Sequence, residues 1–328
     1  MIIKPTKTVI LLLQIIGLVV CGHTQLKAQE QIKPAQLWFD ASGKHINAHG
    51  GGLIAVKDKY YWFGEKRGKS MSEGVNIYSS SDLVNWHEEG LALNVMDDPT
   101  SDISRGCIIE RPKVIYNSKT KQFVMWFHLE LKGHGYNAAR AGVAVSDNVT
   151  GPYHFLKSFR PNGNMSRDMT LFVDKNGEAY QIYSSNENYD LRIVRLTDDY
   201  LSPTAQDSLL FSKHREAPAL FRVKNNYYLI TSGCTGWAPN EASVHVAKSL
   251  FGPWKYMGDP MSGPDSKTTF GAQSTFVFQI PEKNKWIFMA DRWNPKNLTD
   301  SRYVWLPIDI DRNGDILINW KDKWSPDE

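Results

Sequence analysis

Residues 215–254 read REAPALFRVKNNYYLITSGCTGWAPNEASVHVAKSLFGPW. Apolar runs at 219–223, 227–230 and 243–247 are separated by turn-forming residues, and a Gly-Pro-Trp sequence follows them. Short alternating or aromatic-rich runs of this length are typical of β-strands, and amphipathic helical periodicity is nearly absent from the chain. The segment therefore predicts a small antiparallel sheet that begins beside Glu216.

The same pattern recurs along the chain at intervals of roughly 50 to 60 residues. The other units contain runs at 52–56, 60–64 and 75–79; at 111–116, 123–127 and 142–146; at 169–173, 179–183 and 191–194; and at 274–278, 286–289 and 303–306. Three or four antiparallel strands at this period form one blade of a β-propeller. We therefore predict an all-β fold, a five-bladed β-propeller. A β-sandwich, which has similar strand content without the period, is the alternative.

Residues 1–28 differ from the rest and are predicted to be a secretory signal peptide. Lys4 and Lys7 precede an apolar run from Val9 to Val20 that is too short for a comfortable membrane span. Residues 29–328 are then one propeller domain, because no linker rich in Pro, Gly or Ser divides them. The protein is expected to be secreted, in the periplasm or outside the cell. Lipid attachment at Cys21 is the alternative, which the bulky side chain of Val20 disfavours.

The composition argues against several classes of partner. Residues 1–28 carry three Lys and no acidic residue, so their removal brings the formal net charge of +3 to about zero. Neither nucleic acid nor an anionic membrane is therefore expected as a partner. No later stretch is apolar enough to span a membrane, and we expect a monomer. Without Cys21 the chain retains Cys107 and Cys234, as two free thiols or as one disulfide.

Acidic or amide side chains stand at the start of four of the repeated units. They are Glu110, Asp168, Glu216 and Gln273. The innermost strands of a propeller line its central channel, so these side chains are expected to converge on one pocket. Neighbouring carboxyl groups raise one another's proton affinity, which suits acid-catalysed hydrolysis of a glycosidic bond. The alternative is ion pairing with the adjacent arginines, Arg111, Arg167 and Arg215.

Longer motifs surround these positions. They are NAHGGG at 47–52, YWFGE at 61–65, ERPKV at 110–114, SRDM at 166–169, REAPA at 215–219, TSGCTGW at 231–237 and QSTF at 273–276. In this order they resemble family 43 of the glycoside hydrolases, and within it the exo-β-1,3-galactanases. The resemblance covers nearly all of residues 29–328 and implies a five-bladed propeller with inverting chemistry.

The resemblance also implies roles for individual residues. Glu216 matches the general acid, and Glu110 the carboxylate that tunes its proton affinity and orients the sugar. Most family members begin the first blade with an Asp base, where this chain has Asn47-Ala48-His49. The galactanase branch shares that absence, which implies Gln273 as the base, through its imidic tautomer; Glu65 remains the rival. The predicted substrate-binding residues are Glu65, Tyr136, Asp168, Asn186, Thr235 and Trp237.

Hydrolysis of this kind requires no cofactor, and no metal ligand set is predicted. His49, in a glycine-rich turn, is either a hydrogen-bonded core residue or part of the channel floor, where a structural cation could bind. The expected substrate is a polysaccharide or oligosaccharide, with release of galactose from β-1,3-galactan as the leading interpretation. The alternatives are hydrolysis of α-L-arabinofuranosides, β-xylosides or galactofuranosides on the same fold, and sugar binding without catalysis.

Overall fold

The computed structural model describes Met1 and residues 30–68, 71–281 and 283–328. These residues form five sheets arranged as a five-bladed β-propeller, so the predicted fold class is confirmed. The predicted signal peptide at 1–28, with the alternative lipid site at Cys21, lies outside the described residues apart from Met1. Cys107 and Cys234 are both free thiols, and the alternative of a disulfide between them is wrong.

The first four blades each contain four antiparallel strands in sequence order. Blade one consists of β1 (His49–Val56), β2 (Lys59–Arg67), β3 (Ser72–Ser80) and β4 (His87–Asn94). Blade two consists of β5 (Ile108–Asn117), β6 (Gln122–Glu130), β7 (Arg140–Ser146) and β8 (His154–Phe159). Blade three consists of β9 (Met169–Val173), β10 (Ala179–Ser185), β11 (Asp190–Leu196) and β12 (Pro203–Ser212). Blade four consists of β13 (Arg215–Val223), β14 (Asn226–Gly233), β15 (Ser243–Ala247) and β16 (Lys255–Gly258).

Blade five has an additional short strand at its outer edge. Its strands are β17 (Met261–Ser262), β18 (Gln273–Ile280), β19 (Lys285–Arg292), β20 (Arg302–Ile310) and β21 (Ile316–Asn319), in the spatial order β17-β21-β20-β19-β18. Short 3-10 helices lie at Pro161–Gly163, Ser266–Gly271 and Leu298–Asp300.

The innermost strands β1, β5, β9, β13 and β18 form a closed ring, each in contact with the next and β18 in contact with β1. The segment before β1 secures this closure, which the repeat pattern did not predict. Ile32 pairs with Trp324 in an antiparallel bridge, and the Ala35 amide donates to the Tyr303 carbonyl at 2.7 Å. Because these bonds join the two ends of the chain, separating blades one and five would break them.

Aromatic side chains fill the space between blades one and five. The ring centroids of Trp62 and Trp305 are 4.7 Å apart, and Trp86 packs edge-on against Trp62 at 5.4 Å. All three indoles are at most 1% exposed. Burial of large aromatic surfaces is a main source of stability, so much of the aromatic surplus serves the core.

Lys113 of β5 is buried beside the start of β1. Its side chain is 1% exposed, and Nζ donates to the Gly50 carbonyl at 2.7 Å. A Cβ on Gly52 would lie 2.7 Å from Lys113 Cδ, and one on Gly51 would lie 1.9 Å from the Phe63 carbonyl oxygen. The glycine run is therefore required for the close approach of these strands.

Candidate active site

A cavity of about 300 Å³ lies where β5, β13 and β18 begin. Its lining residues are Glu65, Arg67, Glu110, Arg111, His128, Tyr136, Arg167, Asp168, Asn188, Glu216, Gly236, Trp237, Gln273 and Trp293. All three predicted catalytic residues are in this set. So are four of the six predicted substrate-binding residues, and Asn186 and Thr235 are not.

A β-bulge directs Glu110 toward the cavity. The pairing of β5 with β6 shifts register between Glu110 and Lys113, and Arg111 has a φ of 53°. Such a bulge bends the strand and changes the direction of its side chains, so Glu110 and Arg111 both line the cavity. Pro112 follows and has no N–H that the bulge could leave unpaired.

The start of β13 repeats this arrangement around Glu216. The register against β14 shifts between Glu216 and Ala219, and Ala217 has a φ of 53°. Pro218 again follows the residue with left-handed backbone. The Glu-Xaa-Pro sequence shared by the two strands thus accompanies the same local geometry, which brings one glutamate from each blade into the cavity.

Glu216 is buried, and no basic side chain of the described residues forms an ion pair with it. Its Oε1 accepts a hydrogen bond from Gln273 Nε2 at 2.8 Å, and its Oε2 accepts one from Asn188 Nδ2 at 2.9 Å. The preceding Arg215 instead donates to Thr231 Oγ1 at 3.0 Å. Burial and then the negative charge of Asp168 raise the pKa of Glu216 to about 7, against the opposing charge of Arg111. Glu216 can therefore hold a proton at near-neutral pH, as a general acid must.

Glu110 has the opposite surroundings. Its Oε1 accepts from Arg67 Nη2 at 2.7 Å and from the Tyr136 hydroxyl at 2.8 Å, and its Oε2 lies 3.1 Å from His128 Nδ1. Burial alone would raise its pKa, but Arg67 and His128 outweigh burial and hold the pKa of Glu110 well below its ordinary value. One strand-start glutamate thus has a lowered pKa and the other a raised pKa, the division of roles that glycoside hydrolysis needs.

Ion pairing does occur in the cavity, but not between the adjacent residues that the sequence-based alternative named. Glu110 pairs with Arg67 of blade one. Arg111 pairs with Asp168 of blade three through Nη2 at 2.9 Å and Nε at 3.1 Å. Arg167 pairs with Glu187. The partners come from other strands because the ring of blades, rather than the chain order, decides which side chains meet.

The carboxamide of Gln273 has hydrogen-bond partners on both sides. Its Nε2 donates to Glu216 and to Ser232 Oγ at 3.1 Å, and its Oε1 accepts from Arg111 and from Trp293 Nε1 at 3.0 Å. The amide is therefore fixed beside Glu216 in the present state. Its assignment as the base remains a prediction.

The rival base, Glu65, is fully buried in the cavity wall on β2. Burial raises the pKa of Glu65 to about 7, although the adjacent Arg67 guanidinium, with which it forms an ion pair, lowers it. Asn47, in the segment where the resemblance implies the usual Asp base, instead binds the backbone of Arg67 through both side-chain atoms, at 2.8 and 3.0 Å. Neither contact pattern decides between Glu65 and Gln273, and both assignments stay predictions.

Asn186 and Thr235 support the cavity rim from outside its lining. Asn186 donates to Asp190 at 3.1 Å, and it is the nearby Asn188 that reaches Glu216. The Thr235 hydroxyl donates to the Ala238 carbonyl within the loop that carries Trp237. The Trp237 side chain is 46% exposed at the rim and lies edge-on to Trp293, with centroids 5.7 Å apart.

The sequence interpretation missed several cavity residues. They are Arg67, His128, Asn188 and Trp293. Arg111 and Arg167 also line the cavity, although the sequence interpretation named them only as partners in ion pairs. Most lie at positions that the repeat does not mark. The one available indication was His128, a polar residue inside the otherwise apolar run of β6.

The structure also bears on the cation considered for this region. Ligand atoms of Glu110, His128 and Asp168 lie within 4.8 Å of one another. Arg67 and Arg111 already place positive charge on the two carboxylates, so ion pairing accounts for the cluster. His49 is fully buried, with Nδ1 3.4 Å from Asp291 Oδ1, and its ring stacks on Tyr303 at 5.0 Å. The structure thus places His49 in the core.

The sequence matches the model of glycosyl hydrolases family 43 over residues 52–311. The chain belongs to glycoside hydrolase family 43. A family 43 β-1,3-galactosidase, in a structure with galactodeoxynojirimycin, is 47% identical with a TM-score of 0.88; the match covers 90% of this chain and 100% of that one. An exo-β-1,3-galactanase from Phanerochaete chrysosporium, in a structure with β-1,3-galactotriose, is 38% identical with a TM-score of 0.84, over 90% and 68% of the two chains.

A more distant relative of this family 43 hydrolase is a xylan 1,3-β-xylosidase from a Vibrio species. It is 23% identical over 229 residues, and the match covers 62% of this chain and 39% of that protein. The chain thus spans about 39% of the length of this curated relative. The predictions of a family 43 member and of a glycoside hydrolase are confirmed, and catalysis is favoured over sugar binding alone. Among the described residues, no helix has the length and apolar character needed to span a membrane.

Proposed function

We propose that this hydrolase is an inverting exo-β-1,3-galactanase, which releases galactose from the end of a β-1,3-galactan. The observation that carries the proposal is the pairing of Glu216 with Gln273 in a cavity to which the start of β1 contributes no carboxylate. Asn47 and His49, at that start, are engaged with the backbone of Arg67 and with Asp291. The likeness to two proteins described as acting on β-1,3-linked galactose supports the same substrate.

The size of the cavity supports action at a chain end. Its volume of about 300 Å³ is at the lower end for ligand sites. A cavity of this volume suits a terminal sugar, whereas an extended polymer needs a longer cleft. Export through residues 1–28 is part of this proposal, because a polysaccharide substrate lies outside the cytoplasm.

In the proposed mechanism, Glu216 donates its proton to the glycosidic oxygen as the bond breaks. A water molecule attacks the anomeric carbon from the opposite face and gives up a proton to the base. The ionised Glu110 and Asp168 favour the positive charge that develops on the sugar ring. Inverting enzymes place acid and base about 6.5–9.5 Å apart, on opposite faces of the sugar. Gln273, bonded to Glu216, must therefore move when substrate binds if it is the base. The rival base, Glu65, belongs to blade one, which is not adjacent to blade four, where Glu216 lies.

The test is incubation with β-1,3-galactobiose and β-1,3-galactotriose, with galactose measured over time and its first anomer identified by NMR. We expect galactose to be released first as the α-anomer. Glu216→Gln should lower kcat about 10²–10⁴-fold, the usual contribution of a general acid. Glu241→Gln is the matched control, since Glu241 is exposed and pairs with Lys267. No release by the wild type, or full activity of Glu216→Gln, would contradict the proposal.

A β-xylosidase is the second candidate, favoured by the Vibrio relative. The two functions differ in whether the site accepts the hydroxymethyl group of galactose. Rates on the 4-nitrophenyl β-galactoside, β-xyloside, α-L-arabinofuranoside and galactofuranoside separate them. Faster hydrolysis of the β-xyloside than of the β-galactoside, together with no action on galactobiose, would replace the galactanase with a xylosidase.

A further inference from the structure

His128 lies between two buried carboxylates. Its Nδ1 is 3.1 Å from Glu110 Oε2, and its Nε2 is 2.8 Å from Glu130 Oε1. The imidazole is 2% exposed and Glu130 is fully buried, so water screens the contact between these two side chains little. The three side chains form a row that leads from the cavity wall into the interior of blade two.

The two contacts favour the charged form of the imidazole. A neutral imidazole has one N–H and one lone pair, so it can donate to only one of the two carboxylates. An imidazolium has an N–H on each nitrogen and places a positive charge between two negative ones. Burial by itself lowers the pKa of His128, but the contacts with Glu110 and Glu130 outweigh burial and raise it to about 9.

The same row holds the loop between β6 and β7. Glu130 Oε2 accepts a hydrogen bond from the Ala139 amide at 2.9 Å, at the end of that loop. Tyr136, near its middle, donates to Glu110 and stands with its ring 6.0 Å from that of His128. The loop is therefore attached at two points to one charged network.

The other charged groups near Glu110 come from three blades. Arg67 of blade one donates to Glu110 Oε1 and also pairs with Glu65, which shares its positive charge. His128 supplies a second positive charge in contact with Glu110, at the other carboxylate oxygen.

Asp168 of blade three also lies near this carboxylate. One of its oxygens is within 4.8 Å of ligand atoms of Glu110 and His128, and Arg111 of blade two pairs with Asp168. The negative charge of Asp168 is therefore itself compensated.

We propose that His128 and Glu130 are positioning residues, which keep Glu110 ionised and hold the Tyr136 loop against the sugar-binding cavity. Glu130 acts through His128, which in turn acts on Glu110, and neither needs to exchange a proton during the reaction. The kinetic test of this proposal rests on the proposed galactanase function, whereas the NMR test does not.

The kinetic test uses His128→Gln with β-1,3-galactobiose across a range of pH. Glu110 has a lowered pKa, so loss of the adjacent cation raises that pKa and Glu110 becomes protonated at higher pH. The acidic limb of kcat/KM should therefore move up by about one pH unit, with a loss that approaches about tenfold at the acidic end of the limb and a smaller loss at pH 7. Glu130→Gln should move the limb in the same direction by less. His154→Gln, at an exposed histidine of the same blade, is the control.

A histidine NMR titration of the wild type tests the charge directly and needs no activity. With ¹⁵N-labelled histidine, one ring should remain protonated at both nitrogens at pH 8, and Glu130→Gln should remove or shift that signal. If every histidine is neutral at pH 8, or if His128→Gln folds and leaves the acidic limb unchanged, the proposal is wrong. If the wild type releases no galactose but the doubly protonated ring is present, the galactanase function fails while the charged row stands.

Discussion

Gln273 Nε2 lies 2.8 Å from Glu216 Oε1 and joins the inner strand of blade five to that of blade four at the cavity wall. This hydrogen bond favours the ionised form of Glu216, whereas burial and Asp168 favour the protonated form. The pKa of about 7 results from this balance. Removal of a neighbour that favours the ionised form of Glu216 should therefore move the alkaline limb of the pH–activity profile up. Removal of one that favours the protonated form should move it down.

Gln273→Ala removes a donor to the carboxylate of Glu216. The pKa of Glu216 should rise above about 7, so the acid keeps its proton to higher pH and the alkaline limb of kcat/KM moves upward. The rate itself should fall at every pH, because Glu216 loses a contact that orients it. Profiles of kcat/KM against pH measure both effects, with Gln279→Ala, an exposed position of the same strand, as control. A downward shift would contradict this account.

Asp168→Asn should produce the opposite shift. Removing the negative charge of Asp168 makes Glu216 easier to ionise and leaves the positive charge of Arg111 uncompensated. The pKa of Glu216 should fall, and the alkaline limb should move down by about one pH unit. The same assay measures it, and Asp147→Asn, at an exposed aspartate, should leave the profile unchanged. If the variant keeps the wild-type limb, Asp168 does not set the pKa of Glu216.

Trp237→Ala should weaken substrate binding more than chemistry. Trp237 is half-exposed at the rim and has no contact with Glu216 that the structure shows, so its indole is available to stack on a sugar. Loss of an aromatic contact worth about 1 kcal/mol predicts a rise in KM of roughly fivefold with little change in kcat. Steady-state kinetics on galactotriose check this, with Tyr256→Ala, an exposed aromatic of β16, as control. A fall in kcat at constant KM would assign Trp237 a different role.

Lys113→Met should change how stability depends on pH. Burial and then the charge of Arg111 lower the pKa of Lys113 to about 7, so between pH 7 and 10 the unfolded chain binds a proton that the folded protein does not. Stability from this group therefore rises with pH across that window, by up to about 1.4 kcal/mol per pH unit. The free energy of unfolding in urea, measured at pH 7 and 9, should rise more in the wild type than in Lys113→Met. Lys255→Met, at an exposed lysine, should behave as the wild type; equal slopes for Lys113→Met would contradict the prediction.

Much of the fold was predictable because a propeller repeats. Each blade needs alternating apolar residues on its strands and polar residues at its turns, and the fivefold recurrence of that pattern is visible in the chain itself. The ends of the fold were less predictable. The bridge between Ile32 and Trp324 joins segments without a repeated pattern, and its partners are nearly 300 residues apart along the chain.

The predicted catalytic residues lie together because they occupy equivalent positions of different blades. Glu110 and Glu216 each precede an Xaa-Pro pair at the start of an inner strand, and Gln273 begins another. Asn188 and Trp293 lie in loops that follow β10 and β19, the strands next to the innermost ones. The repeat imposes no residue type in these loops. Their contacts with Glu216 and Gln273 were therefore not visible in the sequence.

By itself, the sequence determined the propeller, the family, and the placement of Glu110, Glu216 and Gln273 at strand starts. Only the tertiary structure decided why the two glutamates differ in proton affinity. Glu110 contacts Arg67, which comes from another blade, and His128, which comes from another strand of its own blade. Glu216 instead accepts hydrogen bonds from the neutral amides of Gln273 and Asn188. The physical reason is that a pKa depends on burial and on the charges within a few ångströms, and closure of the ring of blades decides which charges those are.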